Sequence, residues 1–194
     1  MKELVINPDN PKEEKEEVKS QGQLDYEAGK KFLDNKDASL AANAFHNALA
    51  EFEKEKDENG IANASDKLGD ICALRGDFDN AIKHYDRAYA ICEKQSDRFS
   101  LFAIEKKKAR IAFDAKQYDK AITLYLDILD EYTSLSNPQG SVDTLAIIAE
   151  IYLVKGDKAK AADSYRMIAS IHRSFKHNNI AATFTAKAEE VEKG

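Results

Sequence analysis

The sequence predicts an all-α protein, an α-solenoid of four helix-turn-helix repeats followed by a C-terminal capping helix. Similar residues recur every 40 positions through most of the 194-residue chain. Charged residues make up 33% of the sequence, a share that suits long solvated helix faces. The 8 glycines and 3 prolines are too few for the frequent turns of a β-sandwich or β-barrel. These three observations together favour stacked helices.

The repeat is clearest in the second helix of each unit. An alanine recurs there without drift, and an aromatic residue follows it by four positions. Because residues four apart share one face of a helix, the pair predicts a buried stripe whose aromatic ring fills the space between neighbouring units. The alanines are Ala41, Ala81, Ala121 and Ala161, and the aromatic residues are Phe45, Tyr85, Tyr125 and Tyr165.

The first helix of each unit carries a small residue where the second helix must approach closely. These small residues are Gly29, Gly69, Ala109 and Ala149. Another set of small residues, at the position before each new unit's first helix, consists of Gly60, Ser100 and Gly140.

The turn between the two helices of a unit has its own signature. Two of the four turns read Gly-Asp, in which Gly adopts the left-handed C-terminal cap and Asp caps the next helix. The first turn, Lys36-Asp37, keeps only the Asp, and the third, Lys116-Gln117, has neither residue. Since a non-Gly residue in the left-handed region costs ~1–2 kcal/mol, we expect the third turn to be the loosest.

The pattern predicts nine helices, the last of which is a solvating cap with Phe184 and Val191 turned inward. Their ranges are 20–35, 38–55, 60–75, 78–95, 99–115, 118–134, 140–155, 158–175 and 179–192. The domain organisation that follows is a charged, flexible N-terminal segment at 1–21, four repeats and the rest of the capping helix at 182–194. The repeats are 22–61, 62–101, 102–141 and 142–181.

The second unit resembles the tetratricopeptide repeat family. Its Leu68-Gly69 pair matches the first helix of that family, and Ala81, Tyr85 and Ala88 match the second. The resemblance covers residues 22–181 in the longer, 40-residue form of the repeat. It is weakest in the third unit, where Lys108-Ala109 replaces Leu-Gly. The resemblance implies a right-handed superhelix whose first helices line a concave groove that binds other proteins without catalysis.

The resemblance places thirteen candidate partner-binding residues in this groove. Counted over the matching positions, six acidic and three basic residues give a net charge of −3, and apolar residues form a thread through it. A peptide or helix with a basic, amphipathic segment is therefore the predicted partner. The candidates are Tyr26, Lys30, Leu33, Asn63, Asp66, Asp70, Leu74, Lys106, Arg110, Phe113, Asp143, Glu150 and Leu153.

One specific activity of the family is disfavoured. Some members hold the C-terminal carboxylate of cytosolic chaperones with Lys and Asn at set groove positions. Tyr26, Lys30, Lys67 and Ala103 stand at four of these positions, and Lys107 alone keeps the required charge. We therefore do not expect chaperone-tail capture.

Other function classes find no support in the sequence. There is no Gly-rich phosphate loop and no His-Glu-x-x-His pattern, so we expect neither an enzyme nor a cofactor or metal site. Cys72 and Cys92 are expected to be small buried hydrophobic residues. The net charge of −6 argues against nucleic-acid binding, and the absence of an apolar run of ~18 residues argues against a membrane span and for the cytoplasm.

A second interpretation stays open beside the adaptor. The chain would then be a structural protein that assembles into homo-oligomers through its groove or through the ends of its array.

Overall fold

A computed structural model describes residues 19–193, and in this range the chain forms nine α-helices and no strands. Residues 1–18 of the predicted flexible N-terminal segment lie outside the described residues. The helices, written with their first and last residues, are α1 (Gln21–Asp34), α2 (Ala38–Glu55), α3 (Glu58–Leu74), α4 (Phe78–Lys94), α5 (Arg98–Asp114), α6 (Tyr118–Ser134), α7 (Pro138–Lys155), α8 (Lys158–Ser174) and α9 (Asn178–Lys193).

The helices form a two-layer stack in which each one packs on the helix before it and the helix after it. We call α1, α3, α5, α7 and α9 the A layer and α2, α4, α6 and α8 the B layer. Both layers follow the period of the sequence, since α2, α4, α6 and α8 begin at positions 38, 78, 118 and 158. The predicted α-solenoid is confirmed, and the predicted helix bounds agree with the observed ones to within two residues.

The turns repeat twice as often as the sequence analysis expected. A residue with positive φ ends each of the first eight helices, at every twentieth position, both inside the units and between them. Two of these residues are glycines, Gly76 and Gly156, whereas six carry side chains and bear the cost of the left-handed conformation. The six are Lys36, Lys56, Ser96, Lys116, Ser136 and Lys176.

The residue after most of these turns caps the next helix. Asp57, for example, accepts a hydrogen bond from the Gly60 backbone N–H at 3.0 Å. Gln117 is an exception, because its side chain makes no capping bond. The expected looseness of the third turn stays a prediction, since five other turns also hold a non-Gly residue in the left-handed region. The expectation for Gly60, Ser100 and Gly140 was wrong in one respect: these residues lie inside the first helical turn, as the donors to the caps.

The Ala and aromatic stripe is buried as predicted, and its rings pack within their own unit as well as toward the next one. A Cβ added to Gly29 would lie 2.7 Å from the Phe45 ring, and one added to Gly69 would lie 2.5 Å from the Tyr85 ring. The small residue of the A helix therefore provides the space into which the B-helix ring fits. All four stripe alanines are fully enclosed.

The core is a succession of three local clusters along the stack. One joins α2 to α3 around Phe45, one joins α3, α4 and α5 around Tyr85, and the largest runs from α5 to α9 around Tyr125 and Tyr165. Cys92 is buried and Cys72 is half-buried. Among the described residues, no helix is both long enough and apolar enough to cross a bilayer.

Candidate binding groove

The thirteen predicted groove residues all lie on the A layer, on α1, α3, α5 and α7. None is fully buried, and they recur at matching positions along one side of the A helices, although several also contact the B layer, as Tyr26 does through the Phe45 ring. We call this side of the A layer the inner face. Its exposed or half-buried positions recur at the same register in every A helix, for example at Asn63, Asp66 and Asp70 in α3 and again one repeat later.

An ion-pair cluster lies where α3 and α5 meet on the inner face. Lys107 Nζ donates to Asp66 Oδ1 and Oδ2 at 2.6 and 2.7 Å and lies 2.8 Å from Asp70 Oδ1. Lys67 Nζ lies 3.6 Å from Asp66 and 3.5 Å from Asp70. The Tyr85 hydroxyl donates to Asp70 Oδ1 at 2.7 Å. Two carboxylates, two ammonium groups and a phenol thus satisfy one another.

Two tyrosines beside this cluster ionise less readily than usual. Burial raises the pKa of Tyr85, and its hydrogen bond to Asp70 raises it further. Burial also raises the pKa of Tyr26, with the charge of Asp66 adding to the effect. Both phenols therefore stay protonated, and Tyr85 acts as a donor that holds Asp70 in place.

The cluster changes the charge expected for the groove. Asp66 and Asp70 were counted as free acidic residues, whereas the structure pairs them with Lys67 and Lys107, two residues outside the predicted set. Both lysines stand at positions of the chaperone-tail pattern in the sequence. The signal that identifies them is the repeat itself, because positions 67 and 107 are equivalent in successive units.

The basic candidates on α5 are also engaged. Arg110 Nε donates to Asp114 at 3.0 Å, and its guanidinium lies over the Phe113 ring. Lys106 Nζ lies 4.9 Å from the centroid of the Phe102 ring and donates to the Tyr132 hydroxyl at 3.3 Å. The acidic residues Asp143 and Glu150 of α7 make no ion pair within the described part of the chain. The remaining negative charge of the inner face is thus concentrated on α7.

The predicted apolar thread divides into two parts. Leu33 and Phe113 are half-buried and pack against the core clusters beneath them, so they contribute to stability as well as to the surface. Leu74, Leu153 and Val154 are exposed, Leu74 to 74%. Exposed apolar side chains of this size need no explanation singly, but Leu153 and Val154 are adjacent and lie one turn from Glu150.

A polar pocket opens on the inner face between α1 and α3. Its volume is about 330 Å³, and its wall includes Gln23, Tyr26 and Asn63 together with the first turn of α3. Within the described residues, no group of three or more His, Cys, Asp or Glu side chains is placed to hold a metal ion.

The family model of the soluble NSF attachment protein, SNAP, matches residues 11–179. No curated protein sequence matches the chain.

Three solved structures illustrate the fold. The apo form of RapI shares 13% identity at a TM-score of 0.66, over 90% of this chain and 54% of RapI. Aspartyl phosphate phosphatase F from Bacillus subtilis shares 18% identity at a TM-score of 0.55, over 89% of this chain and 49% of the phosphatase. A putative kinesin light chain with TPR-like repeats from Podosopora anserina shares 14% identity at a TM-score of 0.50, over 90% and 97% of the two chains.

The chain spans about half the length of RapI and of the phosphatase. At these identities the structures are alike in fold, a solenoid of TPR-like helical repeats, and the likeness extends no further. The family model, in contrast, matches most of the chain, from before α1 to the start of α9. The chain therefore belongs to the soluble NSF attachment protein (SNAP) family.

Proposed function

We propose that this protein is a non-catalytic protein-interaction scaffold whose inner face binds a peptide or helix of a partner protein. The observation that carries the proposal is the exposed pair Leu153 and Val154 on the same helix as Asp143 and Glu150, whose carboxylates have no ion-pair partner among residues 19–193. An amphipathic segment with basic residues complements such a surface, because it covers the apolar side chains and neutralises the charges. The name of the family describes attachment to another protein, NSF, and this supports a binding role.

The cluster of Lys107, Asp66 and Asp70 has a different part in this proposal. Its charges satisfy one another, so binding a charged partner there would require breaking existing ion pairs. We therefore assign it a structural role, that of fixing α5 against α3. The same pairing keeps Lys107 from serving as a free carboxylate-binding lysine.

The finer organisation belongs to the same proposal. Four repeats of the 40-residue tetratricopeptide form would occupy residues 22–181, with a charged N-terminal segment before them and the rest of the capping helix after them. The recurrence of helix starts at 38, 78, 118 and 158 supports this division. The proposed compartment is the cytoplasm.

The proposal is tested with a double substitution, Leu153→Asp with Val154→Asp, in the full chain. Both residues are exposed, so we expect the melting temperature to change little while binding partners are lost. The matched control is Leu40→Asp, an equally apolar and exposed residue on α2 of the B layer. Immobilised wild type and variants are mixed with lysate from source cells, and the captured proteins are quantified by mass spectrometry.

If the inner-face proposal is correct, the wild type and Leu40→Asp capture some proteins that the double variant does not capture. If the double variant retains every captured protein, the binding site does not lie on the inner face. Self-assembly, the alternative, predicts instead a sedimentation coefficient that rises with concentration in the purified wild type without any partner. The exposed charges of Lys187, Glu189 and Glu190 on α9 disfavour end-to-end stacking at that end.

A further inference from the structure

A second surface with the character of a binding site lies on the B layer, between α6 and α8. Two adjoining depressions of about 570 and 180 Å³ run along this gap and share Leu129, Leu145 and Met167 in their walls. α7 forms the floor through Leu145 and Ile148. We call this depression the outer groove.

Apolar side chains dominate the rim of the outer groove. Leu126 on α6 is 43% exposed, Met167 on α8 is 50% exposed, and Phe175 just after α8 is 53% exposed. The half-buried Ile171 lies between Met167 and Phe175 along α8. A contiguous apolar strip of this kind, exposed to water, is typical of an interaction surface.

The repeat supplies an internal control, because the same four positions occur in the other gaps of the B layer. If the fold itself required apolar residues at these positions, all three gaps would carry them. The α2–α4 gap has His46, Arg87, Ile91 and Gln95, the α4–α6 gap has Asp86, Asp127, Glu131 and Leu135, and the α6–α8 gap has Leu126, Met167, Ile171 and Phe175.

The other two gaps are thus mostly polar, and the first is bridged. The His46 and His84 rings lie in contact with their centroids 6.1 Å apart and their planes tilted by 60°, and Arg87 pairs with Glu53 across α2 and α4. Both gaps nevertheless belong to the same regular stack. The apolar rim of the outer groove is therefore not a requirement of folding.

The charge beside the outer groove identifies the chemistry of its occupant. Helix α6 carries Asp119, Asp127, Asp130 and Glu131 against a single lysine, Lys120. Asp119 pairs with Lys155 and Glu131 pairs with Arg98, whereas Asp127 and Asp130 make no ion pair within residues 19–193. Asp130 itself lines the groove.

The length of the groove fits a short helix. Leu126 and Ser136 mark its two ends on the α6 side, and ten residues at ~1.5 Å each span about 15 Å. A helix of about three turns lying between α6 and α8 would place an apolar stripe on Leu126, Met167 and Phe175.

We propose that the outer groove binds an amphipathic helix of a partner protein, with apolar side chains three and four residues apart and basic side chains along the flank that faces α6. This site is separate from the inner face, because it lies in the other layer and shares none of the thirteen inner-face residues. A scaffold with both sites would hold two segments at once.

The test uses purified full-length chain and a synthetic fluorescent peptide, long enough for about four helical turns, with a leucine stripe and an arginine flank. Binding is followed by fluorescence anisotropy. Two further peptides serve as probes: one with the same composition but a scrambled stripe, and one with glutamate in place of every arginine. We expect the striped basic peptide to bind at least about tenfold more tightly than either of them.

Three variants locate the site. Met167→Glu is expected to lower the affinity for the striped peptide at least about tenfold. Asn47→Glu, at the equivalent repeat position on α2, should change this affinity less than about twofold. Asp130→Lys is expected to lower the affinity for the basic peptide and to raise the affinity for the glutamate peptide. Far-ultraviolet circular dichroism establishes that each variant stays folded, and Met167, Asn47 and Asp130 are all exposed.

The proposal is overturned by any of four results: no binding of the striped peptide with a Kd below about 100 µM, equal binding of the scrambled peptide, equal effects of Met167→Glu and Asn47→Glu, or a preference for the basic over the glutamate peptide that Asp130→Lys leaves unchanged. Phosphatidylserine vesicles and the protein alone are run in parallel. If no peptide binds and the protein sediments with vesicles in a way that Met167→Glu abolishes, the groove is assigned to lipid instead. If no peptide binds and Met167→Glu abolishes dimerisation, the groove is assigned to a second copy. Loss of peptide binding in the Leu153→Asp, Val154→Asp variant would place the peptide on the inner face.

Discussion

The Ser65 side chain is a fully enclosed polar group at the centre of α3. Its hydroxyl oxygen has no hydrogen-bond partner, the one such case among the buried side-chain polar atoms of residues 19–193. A buried hydroxyl without a partner loses its hydration and gains nothing in return, which costs ~1–3 kcal/mol. Ser164 on α8 is buried as well, but it donates to the backbone carbonyl of Lys160 at 3.0 Å.

The substitution Ser65→Ala is therefore expected to stabilise the protein. The change removes the unpaired hydroxyl and favours the helix, so we expect the free energy of unfolding to rise by about 1–2 kcal/mol. Thermal and urea unfolding followed by circular dichroism measure the difference. Ser164→Ala is the control, because it removes a hydroxyl that is already satisfied and should give no gain. A loss of stability in Ser65→Ala would mean that the hydroxyl has a partner in solution.

Buried tyrosines predict how stability responds to alkaline pH. Burial raises the pKa of Tyr26, Tyr85 and Tyr125, and for Tyr85 the hydrogen bond to Asp70 adds to the effect. Because the folded state holds these protons more tightly than the unfolded chain, where the pKa is ~10, their contribution is complete below pH ~10 and is lost as the pH rises above that value.

We therefore expect the free energy of unfolding to fall above pH ~10, with tyrosine ionisation coupled to unfolding. Near-ultraviolet absorbance follows phenolate formation, and circular dichroism follows the fold at the same pH values. Tyr85→Phe should make the pH dependence shallower by about one proton. If Tyr85 ionised at its ordinary pKa while the protein stayed folded, its hydrogen bond to Asp70 would not persist in solution.

At the scale of the helices, the turns are the regular feature that the sequence analysis described only in part. It identified the turns within units from their Gly-Asp pairs but not the equivalent turns between units. Those turns carry Lys56-Asp57, Ser96-Asp97 and Ser136-Asn137, in which the absence of glycine conceals the left-handed residue. The aspartate or asparagine that follows six of the eight turns is the signal that would have identified them.

The substitution Gln117→Asp tests the importance of capping in this fold. Gln117 occupies the capping position of α6 without a side-chain bond, whereas Asp77 at the equivalent position caps α4. An aspartate is expected to add a capping bond worth ~0.5–2 kcal/mol and to raise the melting temperature. Asp77→Gln should lower it by a comparable amount. An unchanged melting temperature in Gln117→Asp would show that this turn opens after the step that limits unfolding.

The sequence predicted the helices, their order and the stripe of alanines and aromatic rings, because the same pattern occurs in four copies and each copy supports the others. It did not predict which inner-face charges pair, since Lys107 and Asp66 are 41 residues apart and meet only through the stacking of α3 on α5. Nor did it predict the outer groove. Leu126 and Met167 belong to successive units and are 41 residues apart in the sequence, so no single unit shows that they face each other across a gap.

At the scale of the whole molecule, the protein is a chain of local cores with no single centre. The three clusters lie in sequence along the stack, and each helix contacts mainly its neighbours in order. Stability in such an array is approximately the sum of unit and interface terms, so different parts can open separately. α9 closes the last cluster through Ala188, Phe184 and Val191, and Phe184 packs on Tyr165.

The capping role of α9 is tested by Ala188→Arg. Ala188 is fully enclosed against the last cluster, so an arginine there is expected to detach α9 and expose Tyr165 and Ile168, at a cost of more than about 4 kcal/mol to the last unit. Hydrogen exchange with mass spectrometry should show protection lost in α7, α8 and α9 and retained in α1 to α4. Ala186→Arg, at an exposed site of the same helix, should leave the exchange pattern unchanged. Uniform loss of protection from α1 to α9 would contradict the chain of local cores, since it would mean that the array unfolds as one cooperative unit.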